Sequence, residues 1–258
     1  MSNDLVVLDT GVIATIRLNN PPLNLFSKEV TVALNAALEA VEKDNAIRAV
    51  IITGTGDRAF CAGSDINEFT SLQGRVGEGK LIEENATYSR LANLAVPTVA
   101  AIQADALGGG LELALCCDLR VAVETARLGL PEVRLGVIPG SGGLQRLPRL
   151  IGLARAKELI LLGEIIDAQK ALDIGLVSRV APSGQIGALS MSIAESLASR
   201  GPLAVREAKA ALDAALDVSL EDGLARDLRA SERVFSSDDM LEGTMAFIEK
   251  RPPEFEDR

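Results

Sequence analysis

The sequence predicts an α/β domain with a helical tail, on three observations. β-branched runs alternate with amphipathic segments up to about Gly140, and after it the texture changes to helical patterns punctuated by glycine and proline. From about Ile186 to the end, Ala-rich helical patterns continue without a clear strand. With 258 residues, 48% of them hydrophobic, the chain can bury a substantial core.

The elements follow in order. LVVLD (5–9) and VIATIRL (12–18) flank Thr10-Gly11 and read as two paired strands across a tight turn. Asn19-Asn20-Pro21-Pro22 stops the second strand. From Ser27, apolar residues recur at Val30, Ala33, Leu34, Ala37, Leu38 and Val41, which predicts an amphipathic helix to about Lys43. RAVIITG (48–54) is a buried strand. PTVAAIQ (97–103), GLELALCC (110–117) and LRVAVE (119–124) read as strand, short helix and strand. Between Thr70 and Lys80, SLQGRVGEGK is polar with three glycines and is expected to be a mobile surface loop. Beyond Gly140 one strand is expected, at LVSRV (176–180), with helix stops near Gly201-Pro202 and Ser236-Ser237.

Composition narrows the chemistry. The chain has no histidine, so Ser-His-Asp and Cys-His nucleophile systems, HExxH metallopeptidases and histidine acid/base catalysis are excluded. Proton transfer falls to Asp, Glu, Lys, Cys or the single Tyr88. A formal charge of −10, from 36 acids against 26 bases, argues against a nucleic acid partner and leaves room only for a local basic pocket holding a small anion. Cys61, Cys116 and Cys117 include no CxxC pair, so they read as small core thiols rather than a disulfide framework or a metal site. No long uncharged apolar run and no secretory pattern in MSNDLVVLDT is found, and a cytoplasmic location without membrane insertion is expected.

Three glycine-rich stretches imitate phosphate loops. GRVGEGKL (74–81) has Leu81 where a P-loop needs a metal-binding hydroxyl, and no hydrophobic strand enters it. GTGDRA (54–59) follows a good strand but precedes FCAG instead of a long helix. ALGGGLELAL (106–115) joins a strand to a short helix, whose start leaves backbone N–H groups unpaired and partly positive. CAGSDINEF (61–69) repeats that logic: Asp65 with Glu68 resembles a capping box, which puts Ala62-Gly63-Ser64 at a second helix start. Two such starts, stripped of bulky side chains, can each aim one N–H at a shared oxygen, as an oxyanion hole requires. Glu112 lies in the first turn of the short helix within an apolar run, where a charge is costly without a task or a partner. Glu132 follows Leu130-Pro131 in the loop LPEVRLGVIPGSGG. Taken singly, either acid reads as a cap or a surface residue; beside an oxyanion hole the two could hold a water between them and serve as an acid/base pair.

These residues resemble the crotonase family, the enoyl-CoA hydratase/isomerase superfamily, over nearly the whole chain. The pieces that carry the resemblance are PPLNLFS (21–27), RAVIITG (48–54), FCAGSDI (60–66), ALGGGLELALCCDLRVA (106–122), GLPEVRLGVIPGSGGLQRLPRLIG (129–152) and FIEK (247–250). The resemblance implies an α/β spiral of β-β-α turns over residues 1–195, and a helical C-terminal region over 196–258 that mediates homotrimers, often paired into hexamers. It implies an acyl-CoA thioester substrate, coenzyme A being part of that substrate rather than a cofactor, and no metal. It assigns the oxyanion-hole N–H groups to Ser64 and Gly109, and catalysis to Glu112 and Glu132. It assigns CoA contacts to Leu23, Ala62, Asp65 and Ile66, and to Phe247 and Lys250 reaching a neighbouring subunit. Both acids match the hydratase pattern, so water addition to a trans-2-enoyl-CoA is the reaction expected. The alternatives are isomerisation, dehydration of a specialised hydroxyacyl-CoA, hydration coupled to carbon–carbon cleavage, and a non-catalytic scaffold binding CoA or RNA. Asn20 and Pro22 depart from the pattern, standing where basic residues are common.

Overall fold

The computed structural model describes residues 4–257. β1 (Val6–Asp9) and β2 (Ile13–Leu18) pair antiparallel, with Val6 opposite Leu18 and Asp9 opposite Thr15. β3 (Ala49–Gly54), β5 (Thr98–Ile102), β7 (Leu119–Val123) and β10 (Arg179–Ala181) then add in parallel, completing a six-stranded sheet in the order β1-β2-β3-β5-β7-β10. A second sheet is built from strands of three residues, β4 (Ala59–Cys61), β6 (Asp105–Leu107), β8 (Arg127–Gly129) and β9 (Ile165–Asp167), in the order β4-β6-β8-β9. Only the β8–β9 pairing there is antiparallel.

Each of three successive passes lays one strand in each sheet, β3 then β4, β5 then β6, β7 then β8, before the chain turns helical. From β6 it enters α3 (Gly109–Ala114), and from β8 it passes a 3-10 turn (Glu132–Leu135) into α4 (Gly143–Ile151). The result is the expected spiral of β-β-α turns. Because β4 and β6 are parallel neighbours, with Cys61 opposite Ala106, the junctions that leave these two strands lie side by side.

α1 (Lys28–Lys43) forms as its periodicity requires. Ser27 caps it by accepting from the Val30 N–H, and Val30, Leu34, Ala37, Leu38 and Val41 are buried. Alternate β3 residues serve two cores: Val50 and Ile52 face the main one, while Ala49 and Ile51 pack with Val99, Val121, Ile193 and Ala194 on the outer side. A strand covered on both faces has no polar alternation, hence the continuous apolar run.

Several sequence expectations are revised. The four short strands of the second sheet were not foreseen, because three residues are too few to show a period of two. LVSRV (176–180) is only partly strand: Leu176 and Val177 are buried ahead of β10. The segment expected to be a mobile loop is helical over much of its length, with a 3-10 helix (Ile66–Leu72), a π turn (Gly77–Leu81) and then α2 (Ile82–Ala92). Its anchor is Lys80, 5% exposed.

α5 (Leu153–Leu161) and α6 (Ala168–Asp173) follow α4. The boundary expected at 195/196 falls inside α7 (Ile186–Ala198), which covers the outer face of the six-stranded sheet. The remaining layer is α8 (Pro202–Ala214), α9 (Leu220–Phe235) and α10 (Asp238–Glu249). Lys209 ties α8 to the core through Asp118 and the Ala92 carbonyl. α9 buries none of its residues, and Leu220, Leu224, Leu228 and Phe235 are exposed on it. Among the described residues no helix is long and apolar enough to cross a membrane.

Candidate active site

The two glycine-bearing junctions meet. Gly63 takes φ +103°, a left-handed conformation that L side chains resist, and this turns the chain so that Phe26 N–H donates to the Gly63 carbonyl while Asp65 N–H donates to the Phe26 carbonyl. Ser64, between them, directs its own N–H the other way. Across from it, Gly109 opens α3. Neither the Ser64 nor the Gly109 N–H donates to an acceptor among the described residues. A Cβ placed on Gly109 would lie 3.7 Å from the Ser64 nitrogen, and one on Gly63 would lie 3.6 Å from the Gly109 nitrogen, so both groups border one small space. Tyr88 buttresses it: its hydroxyl donates to the Gly109 carbonyl at 2.9 Å, and its ring stands edge-on to Phe26 with centroids 5.4 Å apart. Burial drives the Tyr88 pKa well above its ordinary value and keeps the phenol a donor.

Both glutamates come to this place. Glu112 is 3% exposed, and its Oε1 accepts the N–H groups of Ser141 and Gly143, each at 2.8 Å. Burial pushes its pKa up to about 8, opposed by the Gly143 donor and reinforced by the charge of Glu132. Both carboxylate oxygens of Glu132 are buried and accept no hydrogen bond in the protein, and burial raises this group to about 7. Glu132 borders the same junction one residue earlier: a Cβ on Gly108 would lie 3.2 Å from its Oε1. Two coupled carboxyls that titrate near neutrality can give and take a proton without histidine.

The raised pKa of Glu112 has a cost in stability whose sign is fixed. Below its ordinary value of 4.5 the carboxyl is neutral in folded and unfolded chains alike; from there up to about 8 the folded chain holds a proton that the unfolded chain has released. Stability therefore falls as pH rises through that window. In Glu112→Gln this component vanishes, and the drop in unfolding free energy between pH 5 and pH 9 should shrink by on the order of 4 kcal/mol. Urea titrations of both proteins at the two pH values check it, and equal drops would contradict it.

The Asp65–Glu68 capping box is half made. Asp65 caps the 3-10 helix by accepting from Asn67 N–H, but the Glu68 carboxylate turns to Lys80 rather than back to Asp65. Leu23, Ala62, Asp65 and Ile66 lie along the edge of the Ser64 junction. There the Ala62 and Asp65 N–H groups are donated to the Leu23 and Phe26 carbonyls, and the Asp65 carbonyl accepts the Glu68 N–H. Phe247, 86% exposed, and Lys250 sit at the end of α10, where Phe247 lines a separate apolar groove of about 500 Å³ with Met240, Ile248 and Phe255. Ser141, Gly143, Tyr88, Lys80 and Glu84 were not foreseen in the site. For Ser141 and Gly143 the signal was available, since PGSGG (139–143) is another glycine-rich entry to a helix, like the two junctions already singled out.

A spiral of β-β-α turns whose junctions gather paired N–H groups and buried acids defines the crotonase class of α/β protein. The crystal structure of enoyl-CoA hydratase from Bacillus anthracis matches this fold with a TM-score of 0.95 at 41% identity, over 98% of this chain and 100% of that one. A family model described as enoyl-CoA hydratase/isomerase matches residues 9–258, and the chain belongs to that family. YngF of Bacillus subtilis is 44% identical over 243 residues, 92% of each chain. The mitochondrial methylglutaconyl-CoA hydratase of Rattus norvegicus is 42% identical over 236 residues, 90% of this chain and 75% of that protein.

Proposed function

We propose that this family member is an enoyl-CoA hydratase, adding water across the trans-2 double bond of an enoyl-CoA thioester. The observation that carries this reading is the pair of buried carboxyls, Glu112 and Glu132, raised to about 8 and about 7 beside two undonated N–H groups. The thioester carbonyl oxygen takes the Ser64 and Gly109 N–H groups, which stabilise the enolate-like charge formed on attack at Cβ. Glu112 and Glu132 hold the water. Glu112 accepts a proton from it as hydroxide bonds to Cβ, and Glu132 delivers a proton to Cα, so one proton enters the pair and one leaves. Burial raises both carboxyls, so the pair keeps a proton near neutrality, and this step requires that proton on Glu132.

Coenzyme A enters as part of the substrate, with no separate cofactor or metal. Leu23, Ala62, Asp65 and Ile66 border its adenine and pantetheine, while Phe247 and Lys250 of a neighbouring subunit reach the nucleotide end. Exposed leucines on α9 support assembly into a homotrimer or a hexamer. The charge of −10 disfavours the RNA-binding scaffold, and a cytoplasmic location remains part of the proposal. The rat relative's name points to hydration of a branched enoyl group within the same chemistry.

Crotonyl-CoA tests the reading. Loss of its ultraviolet absorbance on addition of the enzyme, with formation of the 3-hydroxyacyl product, is expected. A retained chromophore together with tight CoA binding would replace hydration by the scaffold reading.

A further inference from the structure

Behind the two glutamates lies a third buried acid, which the mechanism does not use. Glu84, on α2, is 1% exposed, and Lys80, one turn earlier on the π turn, is 5% exposed. Lys80 Nζ stands 3.3 Å from Glu84 Oε2 and 3.1 Å from Glu68 Oε2, and donates to the Phe26 carbonyl at 3.0 Å. The other oxygen, Glu84 Oε1, accepts the Ser141 hydroxyl. Ser141 is 2% exposed, and its backbone N–H is one of the two donors to Glu112 Oε1. Glu84 Oε1 also sits 3.8 Å from where a Cβ on Gly109 would be, so the same carboxylate flanks the paired N–H groups.

A buried Lys–Glu pair is weak evidence of stabilisation, since taking both charges out of water costs about as much as their attraction returns, and apolar residues of the same shape often serve as well. What distinguishes this pair is its reach. Resting on the reading of Glu112 as the base, we propose that Glu84 is a positioning residue: through the Ser141 hydroxyl it fixes the backbone donor that aims the Glu112 carboxylate at the held water. Lys80 holds Glu84 in place, and the π turn allows it to, by bringing Lys80 onto the buried side of an otherwise polar segment. α2 thereby becomes part of the catalytic apparatus without touching the substrate. The charged and titratable groups around Glu112 are Glu132 from the 3-10 turn, Glu84 and Tyr88 from α2, Cys116 from the end of α3 and Arg146 from α4. Glu132 and Glu84 both favour its protonated form, whereas burial keeps Tyr88 and Cys116 uncharged.

Two variants test this. Lys80→Met combined with Glu84→Leu removes both charges at nearly constant shape and leaves neither partner buried alone. Ser141→Ala removes the hydroxyl and keeps the backbone donor. In each, kcat for crotonyl-CoA should fall about 10- to 100-fold with KM changed little, the pattern of a misaimed catalytic group rather than lost binding. Glu84→Gln, which keeps an acceptor for Ser141, should recover much of the loss seen on replacing Glu84 by Leu. Independently of turnover, the Glu112 titration midpoint, read by carbon-13 NMR of labelled glutamate carboxyls, should move down in Glu84→Gln, where the Glu84 charge is gone and the Lys80 charge remains. A merely structural pair would lower the unfolding midpoint and leave kcat of the folded enzyme intact. Should the double variant not fold, Ser141→Ala decides by itself. Full kcat in these variants, in an enzyme that Glu112→Gln inactivates, overturns the positioning role and leaves the hydratase reading standing. If the unaltered enzyme hydrates no enoyl-CoA, that reading falls and the positioning role falls with it, an outcome distinct from full kcat in the variants of an active enzyme.

Discussion

Glu112→Gln and Glu132→Gln each lower turnover of a trans-2-enoyl-CoA by about 100- to 10,000-fold, the usual worth of a placed proton donor or acceptor, while the protein stays folded. The folded state should survive because an amide oxygen can accept what the carboxylate accepted: Glu112 Oε1 takes two backbone N–H groups, and a glutamine Oε1 can take both. Glu132 accepts no hydrogen bond in the protein, so glutamine there deprives no buried donor of a partner. What the amides lack is a group that ionises near neutrality. Losing either residue should cost nearly as much as losing both, since the two act on one water and their effects cannot add. Steady-state rates of the single and double variants, with circular dichroism as the folding control, test this. Full activity in either single variant would remove the water-holding pair from the mechanism.

Gly110→Ala is the second large effect, and it acts through the backbone. A methyl group at this position of α3 would stand 2.1 Å from the Cys61 carbonyl oxygen and 2.7 Å from the Cys61 carbonyl carbon and Cβ. No flexible side chain can swing aside; α3 has to move away from β4. That contact lies between Ser64, three residues past Cys61, and Gly109, next to the methyl, so separation widens the gap between the two N–H groups. The expected cost is about 3 kcal/mol or more of stability, at the upper end of what overpacking exacts. Turnover of the folded fraction should fall about 100-fold, as a displacement near 1 Å in a catalytic arrangement would do. The control is Gly187→Ala in α7, where a Cβ meets nothing within 4 Å and alanine favours the helix. Denaturation midpoints and kcat/KM separate the two variants, and a Gly110→Ala protein that matches Gly187→Ala on both would show that the close approach has no bearing on the site.

Much of this was legible in the sequence, for reasons that also explain the rest. α1 follows its apolar stripe and its serine cap closely, because one face of one helix carries all the information. The two junctions were legible as glycines at strand ends, and Glu112 as a charge in an apolar run. The partners of Glu112 were not, because Ser141 and Gly143 reach it from 29 and 31 residues away and only the spiral brings α4 back to α3. Lys80 and Glu84 were hidden more deeply. Polar residues with glycines nearby look like solvent-facing loop, and local pattern says nothing of a lysine buried against a carbonyl fifty-four residues away. The second sheet was hidden by the brevity of its strands, although its parallel pairing decides which junctions meet.

The buried carboxyl pair has a practical corollary in a chain without histidine. Burial lifts the Cys61 and Cys116 thiols to about 12, far from the range in which the two glutamates exchange protons. Net proton uptake or release by the pair on ligand docking can therefore be counted by calorimetry in buffers of contrasting ionisation heat, against a nearly silent background from the other side chains.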